Sequence, residues 1–172
     1  MRPWALTLLR TLLSFWSGAA VLFIATSVRE ITSPIISDAS REVLPSVRFP
    51  LYYSFGLICI SLAWIFCFGL VRMATWPSSR GRNLLQATSL LLIVFLADYL
   101  WIFRSLQEMM LVGVTDSDRF VFYHRASMGL NAVGLVLSLG CAWMSNWPIS
   151  FECPLEKMPD SPTLRPDERS SR

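Results

Sequence analysis

The chain has 172 residues, of which 53% are hydrophobic and only 16% charged, with a formal net charge of +3. A water-soluble domain carries about a quarter of its residues as charges, so this balance excludes an ordinary soluble fold. The small charge, scattered with no Lys/Arg-rich run, gives no footprint for a nucleic-acid partner.

Apolar runs set the organisation. The first, residues 4–28, is broken only by Arg10. It passes through the small residues Ser17-Gly18-Ala19-Ala20 into Val21-Leu22-Phe23-Ile24. A signal-peptide core is about 7–15 residues and a membrane span about 20, so the run predicts a retained transmembrane helix, with Arg10 near enough to its start to snorkel to the headgroups. In the loop that follows, Ser33-Pro34 reads as a helix start and Pro45 as its stop. Ile36, Ala39 and Val43 share one face and Asp38, Arg41 and Glu42 lie towards the other, which predicts a short amphipathic helix on the membrane surface.

Residues 51–71 are predicted as the second span. Residues 84–106 are predicted as the third, after a basic turn at Trp76-Pro77-Ser78-Ser79-Arg80. Residues 120–147 are predicted as the fourth. Asp116 or Ser117 is the expected N-cap of the last helix and Pro148 its stop. Residues 1–150 therefore form one four-span domain, and the polar, proline-punctuated tail 151–172 is expected to be disordered. The fold class expected is all-α: an integral membrane four-helix bundle with a short amphipathic helix in the first loop. A weak Lys/Arg bias puts both termini in the cytoplasm, and a bacterial inner membrane is the expected location, with a eukaryotic membrane as the alternative.

Ionisable residues inside spans are expensive and point to function by default. Here they are Asp98, His124 and Arg125, with Arg104 near the edge. In the last span His124, Ser127, Asn131 and Ser138 follow spacings of three, four and seven, which puts them on one helical face. Gly134, Ser138 and Ala142 extend that face at four-residue steps and suit close helix packing. Gly18, Gly56, Gly69, Gly129 and Gly140 read as packing positions too. Asp98 lies about 9–12 Å from the end of its span at 1.5 Å per residue, and His124 lies at a similar depth on the same side. A polar cluster of Tyr53, Asp98, His124, Ser127 and Asn131 follows, with Arg104 and Arg125 at its mouth. A structural pairing, in which Arg104, Arg125 or His124 neutralises Asp98, is the competing account.

Catalytic and cofactor signals are weak. The four cysteines, Cys59, Cys67, Cys141 and Cys153, have no metal-ligand spacing. Cys59, Cys67 and Cys141 sit inside apolar runs and read as small packing residues. A single histidine cannot supply bis-histidine haem ligation, and no nucleotide, hydrolase or zinc-protease motif occurs. No cofactor or metal is expected.

Three stretches resemble the transmembrane protein 205-like family, a four-helix membrane domain of unknown function. They are Phe15-Trp16-Ser17-Gly18, Arg48-Phe49-Pro50-Leu51-Tyr52-Tyr53, and Phe120-Val121-Phe122-Tyr123-His124-Arg125-Ala126-Ser127 continuing to Asn131. The third helix departs from the pattern, with Asp98 where members often carry Asn and Phe103-Arg104 where they carry a Pro-Arg pair. The resemblance implies a fold and a membrane location and no reaction. The leading expectation is a non-enzymatic membrane accessory or structural component, whose partners are the lipid bilayer and a second copy or another membrane protein. A small oligomeric transporter or channel component is the alternative, and a haem- or quinone-linked redox protein acting through His124 comes third.

Overall fold

The computed structural model describes residues 3–73, 78–113 and 117–147. Residues 74–77, where the expected basic turn begins, Asp116, Pro148, the tail with Cys153, and the side chains of residues 38–42 lie outside that description. The elements in order are α1 (Pro3–Thr32), α2 (Asp38–Arg72), α3 (Ser78–Ala97), a π-helical segment (Asp98–Phe103), α4 (Arg104–Leu111) and α5 (Asp118–Asn146). The π segment joins α3 to α4 without a break, so the three make one span.

Four helices are long and apolar enough to cross a membrane: Trp4–Glu30, Val43–Arg72, Ser79–Leu111 and Asp118–Asn146. The architecture is the all-α four-helix bundle that the hydropathy predicts. In the main packing, α1 lies against α2 and α5, and α3 lies against the same two helices. Large apolar side chains such as Leu22, Ile58, Ile93 and Val136 face outward, as lipid-facing positions do. Exposed tryptophans mark both ends: Trp4, Trp143 and Trp147 at one, Trp101 towards the other, where amphipathic rings favour the headgroup level.

The separate loop helix expected between Ser33 and Pro45 is corrected. Pro34 and Ile35 form a turn, and one helix runs from Asp38 through Pro45 and Pro50 into the second span. Proline removes one backbone donor and normally kinks a helix, yet in membrane spans neighbouring helices and Ser/Thr side chains re-satisfy the freed groups. Pro45 and Pro50 leave the carbonyls of Arg41 and Ser46 without an N–H from four residues on, and the Ser46 hydroxyl adds a bond to the Val43 carbonyl at 2.7 Å.

Local signals at the ends of α5 are satisfied. Ser117 is the N-cap, accepting from the Phe120 N–H at 3.2 Å. At the other end Arg10 donates to the Ser145 carbonyl at 2.7 Å, and Arg80 donates to those of Met144 and Trp147 at 2.7 and 2.6 Å. Cations on the last carbonyls of a helix complement its dipole. Arg10 thus serves α5 rather than reaching for headgroups.

Two apolar clusters form the core. One gathers Leu9, Leu13, Cys67, Leu84 and Cys141 at the end holding the start of α1 and the finish of α5. The other gathers Trp16, Tyr53, Ile60, Leu91, Phe95 and Phe103 in the other half. Cys59, Cys67 and Cys141 are buried and free, in keeping with packing residues.

The glycine reading needs a second correction. A Cβ on Gly56 would fall 2.4 Å from the Phe95 ring and 2.6 Å from the Trp16 ring, whereas at Gly18, Gly69, Gly129, Gly134 and Gly140 it would meet nothing within 4 Å. Of these six, only Gly56 is a contact glycine.

Candidate functional site: a buried carboxylate beneath an apolar crevice

The π segment begins at Asp98. In an α-helix, positions five apart sit about 140° apart around the axis. Winding the segment with i→i+5 hydrogen bonds, such as that from the Arg104 N–H to the Tyr99 carbonyl, turns Asp98 and Phe103 towards the same side, and both are buried. Such segments are rare and frequent at functional sites. Phe103 then packs on the Tyr53 ring at 4.5 Å between centroids, and Asp98 meets the Tyr53 hydroxyl.

Asp98 is 2% exposed. Its Oδ2 accepts from the Tyr53 hydroxyl at 2.6 Å and from Asn131 Nδ2 at 2.6 Å. Asn131 Nδ2 also reaches the Ser127 carbonyl at 2.9 Å and the Ser127 hydroxyl at 3.2 Å. Its Oδ1 accepts from the Tyr52 hydroxyl at 3.1 Å. The carboxylate of the third span is therefore tied to α2 and α5 at one point. Asp98 Oδ1 is buried with no hydrogen-bond partner among the described residues. A cavity of about 10 Å³ lies against Asp98, Tyr52, Asn131 and Gly134, the volume that one water molecule fills.

Of the residues expected to cluster, Tyr53, Asp98, Ser127 and Asn131 come together. His124, Arg104 and Arg125 do not join them. Arg104 and Arg125 are exposed, and among the described residues no ion pair or hydrogen bond links any of the three to Asp98. His124 stacks on Phe120 at 6.0 Å and lines a larger space described below. The reason is geometric: seven residues separate His124 from Asn131, so the two share a face, but two turns nearer the helix end that face no longer has a packed neighbour. Neutralisation of Asp98 by an arginine or by His124 is replaced by hydrogen bonding to neutral groups.

Tyr52 lies outside the cluster expected from the sequence, yet its hydroxyl donates to Asn131 Oδ1 and its ring stacks on Phe23 at 4.3 Å. The paired Tyr52-Tyr53 was the available signal, since neighbours about 100° apart on a helix can serve two adjoining faces of one contact.

Above this network the bundle opens. Between α1, the start of the second span, the π segment with α4, and the first half of α5 lies a crevice of about 460 Å³. Ile24, Val28, Phe49, Leu106 and Met128 contribute apolar walls, while Tyr52, Ser127 and Asn131 form a polar patch. At its rim Arg48 pairs with Glu30, donates to the Thr26 hydroxyl at 2.7 Å and lies over the Phe23 ring at 5.0 Å. Comparison of the chain with protein-family models, curated proteins and solved structures finds no match in any of the three. Among the described residues no group of three or more His, Cys, Asp or Glu is placed to hold a metal ion.

Proposed function

We propose that this chain is a non-enzymatic, multi-pass membrane protein, an accessory or structural component, in which the Asp98 network locks three spans in register. The observation that carries the reading is the double use of Asp98 Oδ2, which takes a donor from α2 and another from α5 at 2.6 Å each. Polar groups in hydrocarbon bond across helices because no water is at hand. Membership of the transmembrane protein 205-like family is part of the same proposal: three stretches carry the resemblance, and the most specific, the last-helix motif, includes Ser127 and Asn131 of the network.

The test is thermal unfolding in mild detergent. Asp98→Leu removes the acceptor that Tyr53 and Asn131 share and leaves them only their longer contacts with Ser127 and each other. At about 1–3 kcal/mol for a poorly satisfied buried donor, the midpoint should fall sharply. Asp98→Asn keeps an acceptor and should fall less. Residues kept for activity often lower stability, so a midpoint that held or rose in both variants would sink the lock and favour a ligand or transport role.

The second reading, a small transporter or channel component, is favoured by one observation: the crevice abuts the same network. Transporter sites tend to lie between structural repeats. The sequence has no visible repeat, so this reading requires a homo-oligomer.

A further inference from the structure

The crevice carries chemistry that the lock does not use. Its volume, about 460 Å³, falls within the range of about 300–1,000 Å³ typical of small-molecule sites. It lies within the membrane-spanning part of the chain, and its wall residues Val28 and Met128 are 56% and 60% exposed, so it opens sideways between α1 and α5. In a bilayer an occupant would enter there, near the ends of the spans that Glu30, Leu44 and Met110 mark.

The polar equipment says what kind of occupant. The ionisable side chains of the crevice lining are Arg48 and Glu30, which pair with one another at the rim, and His124, two turns of α5 from Asn131. No unpaired carboxylate, lysine or arginine is therefore there to hold an ionic head. Tyr52, Asn131 and Ser127 are neutral, and they offer both a donor and acceptors. The Tyr52–Asn131 bond is 3.1 Å, long for a hydroxyl donor, so the Tyr52 hydroxyl can turn to a better acceptor. Asn131 Oδ1 keeps a second lone pair for an incoming hydroxyl. A purely hydrocarbon occupant would leave these groups facing apolar atoms, at a desolvation cost. Tyr52 and Asn131 also border the small cavity beside the unpartnered Asp98 Oδ1, so a head seated on them meets the outer members of the buried network.

We propose that the crevice binds a neutral amphiphile with a hydroxyl or carbonyl head, seated head-first on Tyr52 and Asn131 with its tail leaving between α1 and α5. This goes beyond the lock, which stands or falls on its own.

The test uses four photoactivatable 12-carbon probes carrying the same mid-chain diazirine: an alcohol, a methyl ketone, a carboxylate and a plain hydrocarbon. The full-length protein in nanodiscs is labelled with each, and the adducts are mapped by peptide mass spectrometry. The alcohol, the ketone or both should label Phe49, Leu106 or Met128 at least about fivefold more than the other two probes. That ratio is what one net hydrogen bond of about 1 kcal/mol supplies. Whichever of the two labels more strongly tells a hydroxyl-bearing ligand from a carbonyl-bearing one. Tyr52→Phe keeps the ring stacked on Phe23 and should remove most of the preference. Ala132→Trp, at an exposed position on the crevice wall, should abolish labelling there by every probe. Equal labelling by all four probes, or labelling of Val136 and Leu139 on the outer face as strong as that inside, would mean an ordinary lipid contact and overturn the proposal. Crevice labelling that survives Ala132→Trp would overturn it too.

Discussion

The same two helices, α1 and α5, meet closely in one half of the bundle and part in the other. In the closed half Ser17 and Ser138 bring their hydroxyls to 2.6 Å, Asn146 reaches the Ser14 hydroxyl at 3.2 Å, and Arg10 caps α5. In the open half the facing residues are Phe23, Ile24 and Val28 on α1 and His124, Met128 and Ala132 on α5. Side-chain size accounts for much of the difference. Serines let two backbones approach, and their hydroxyls bond across the contact. The larger side chains of Phe23, Ile24, Val28, His124 and Met128, among which Ser27 and Ala132 are the small exceptions, hold the helices apart, and the aromatic rings of α2 and the third span fill only part of the space. The closed half supplies cohesion, which leaves the open half free to carry a cavity.

The sharpest way to break this division is at its boundary. Gly56 lies where the Trp16 and Phe95 rings close over α2, and an added methyl would overlap both. The rings are rigid and pack at 5.3 Å between centroids, so Gly56→Ala forces α2 outward. Overpacking of this kind costs about 1–3 kcal/mol. A fall in the thermal midpoint in detergent is expected, together with greater solvent labelling of the buried Cys59, one turn away. A midpoint at or above that of the parent would mean that the rings move aside easily.

Gly134 sharpens the comparison from the opposite direction. It is buried and lines the small cavity beside Asp98, yet a Cβ there meets nothing. Gly134→Ala relieves the entropic cost of glycine in a helix, about 0.5–1 kcal/mol, and should raise the midpoint. A lowered midpoint would show that the cavity's contents are worth more than the helix gains, as for a water bound to Asp98.

Particular residues show what was legible beforehand. The four spans were, because apolar runs of that length have one good use. Ser117 as the cap of α5 was, because its chemistry is local. The face of Ser127, Asn131 and Ser138 followed from helical spacing. The π segment was not: nothing in Asp98-Tyr99-Leu100-Trp101-Ile102-Phe103 distinguishes i→i+5 from i→i+4 bonding, which tertiary contacts with Tyr53 decide. The continuity of α2 was hidden because the rule for Pro45 is a rule for water, where a broken helix can hydrate its ends. Depth along two helices placed His124 beside Asp98, but depth does not report which neighbours a face meets, and at His124 α1 and α5 have parted.

The smallest effect tests the seam itself. Ser17 Oγ contacts Ser138 Oγ and donates to the carbonyl of Leu13 within its own helix at 2.8 Å. Ser27, ten residues on, bonds within its own helix among the described residues, donating to the Phe23 carbonyl at 2.8 Å, and it faces the crevice. Ser17→Ala and Ser27→Ala remove the same atom from the same helix, one in each half. Cross-helix hydrogen bonds in membranes average about 0.6 kcal/mol and reach about 1.7. Ser17→Ala should therefore cost about that much, and Ser27→Ala close to nothing. Chemical unfolding in mixed micelles resolves a difference of that size, and a double cycle with Ser138→Ala assigns it to the pair. Equal costs for the two variants would mean that the seam is held by apolar packing along its whole length, and that the serines matter for their size alone.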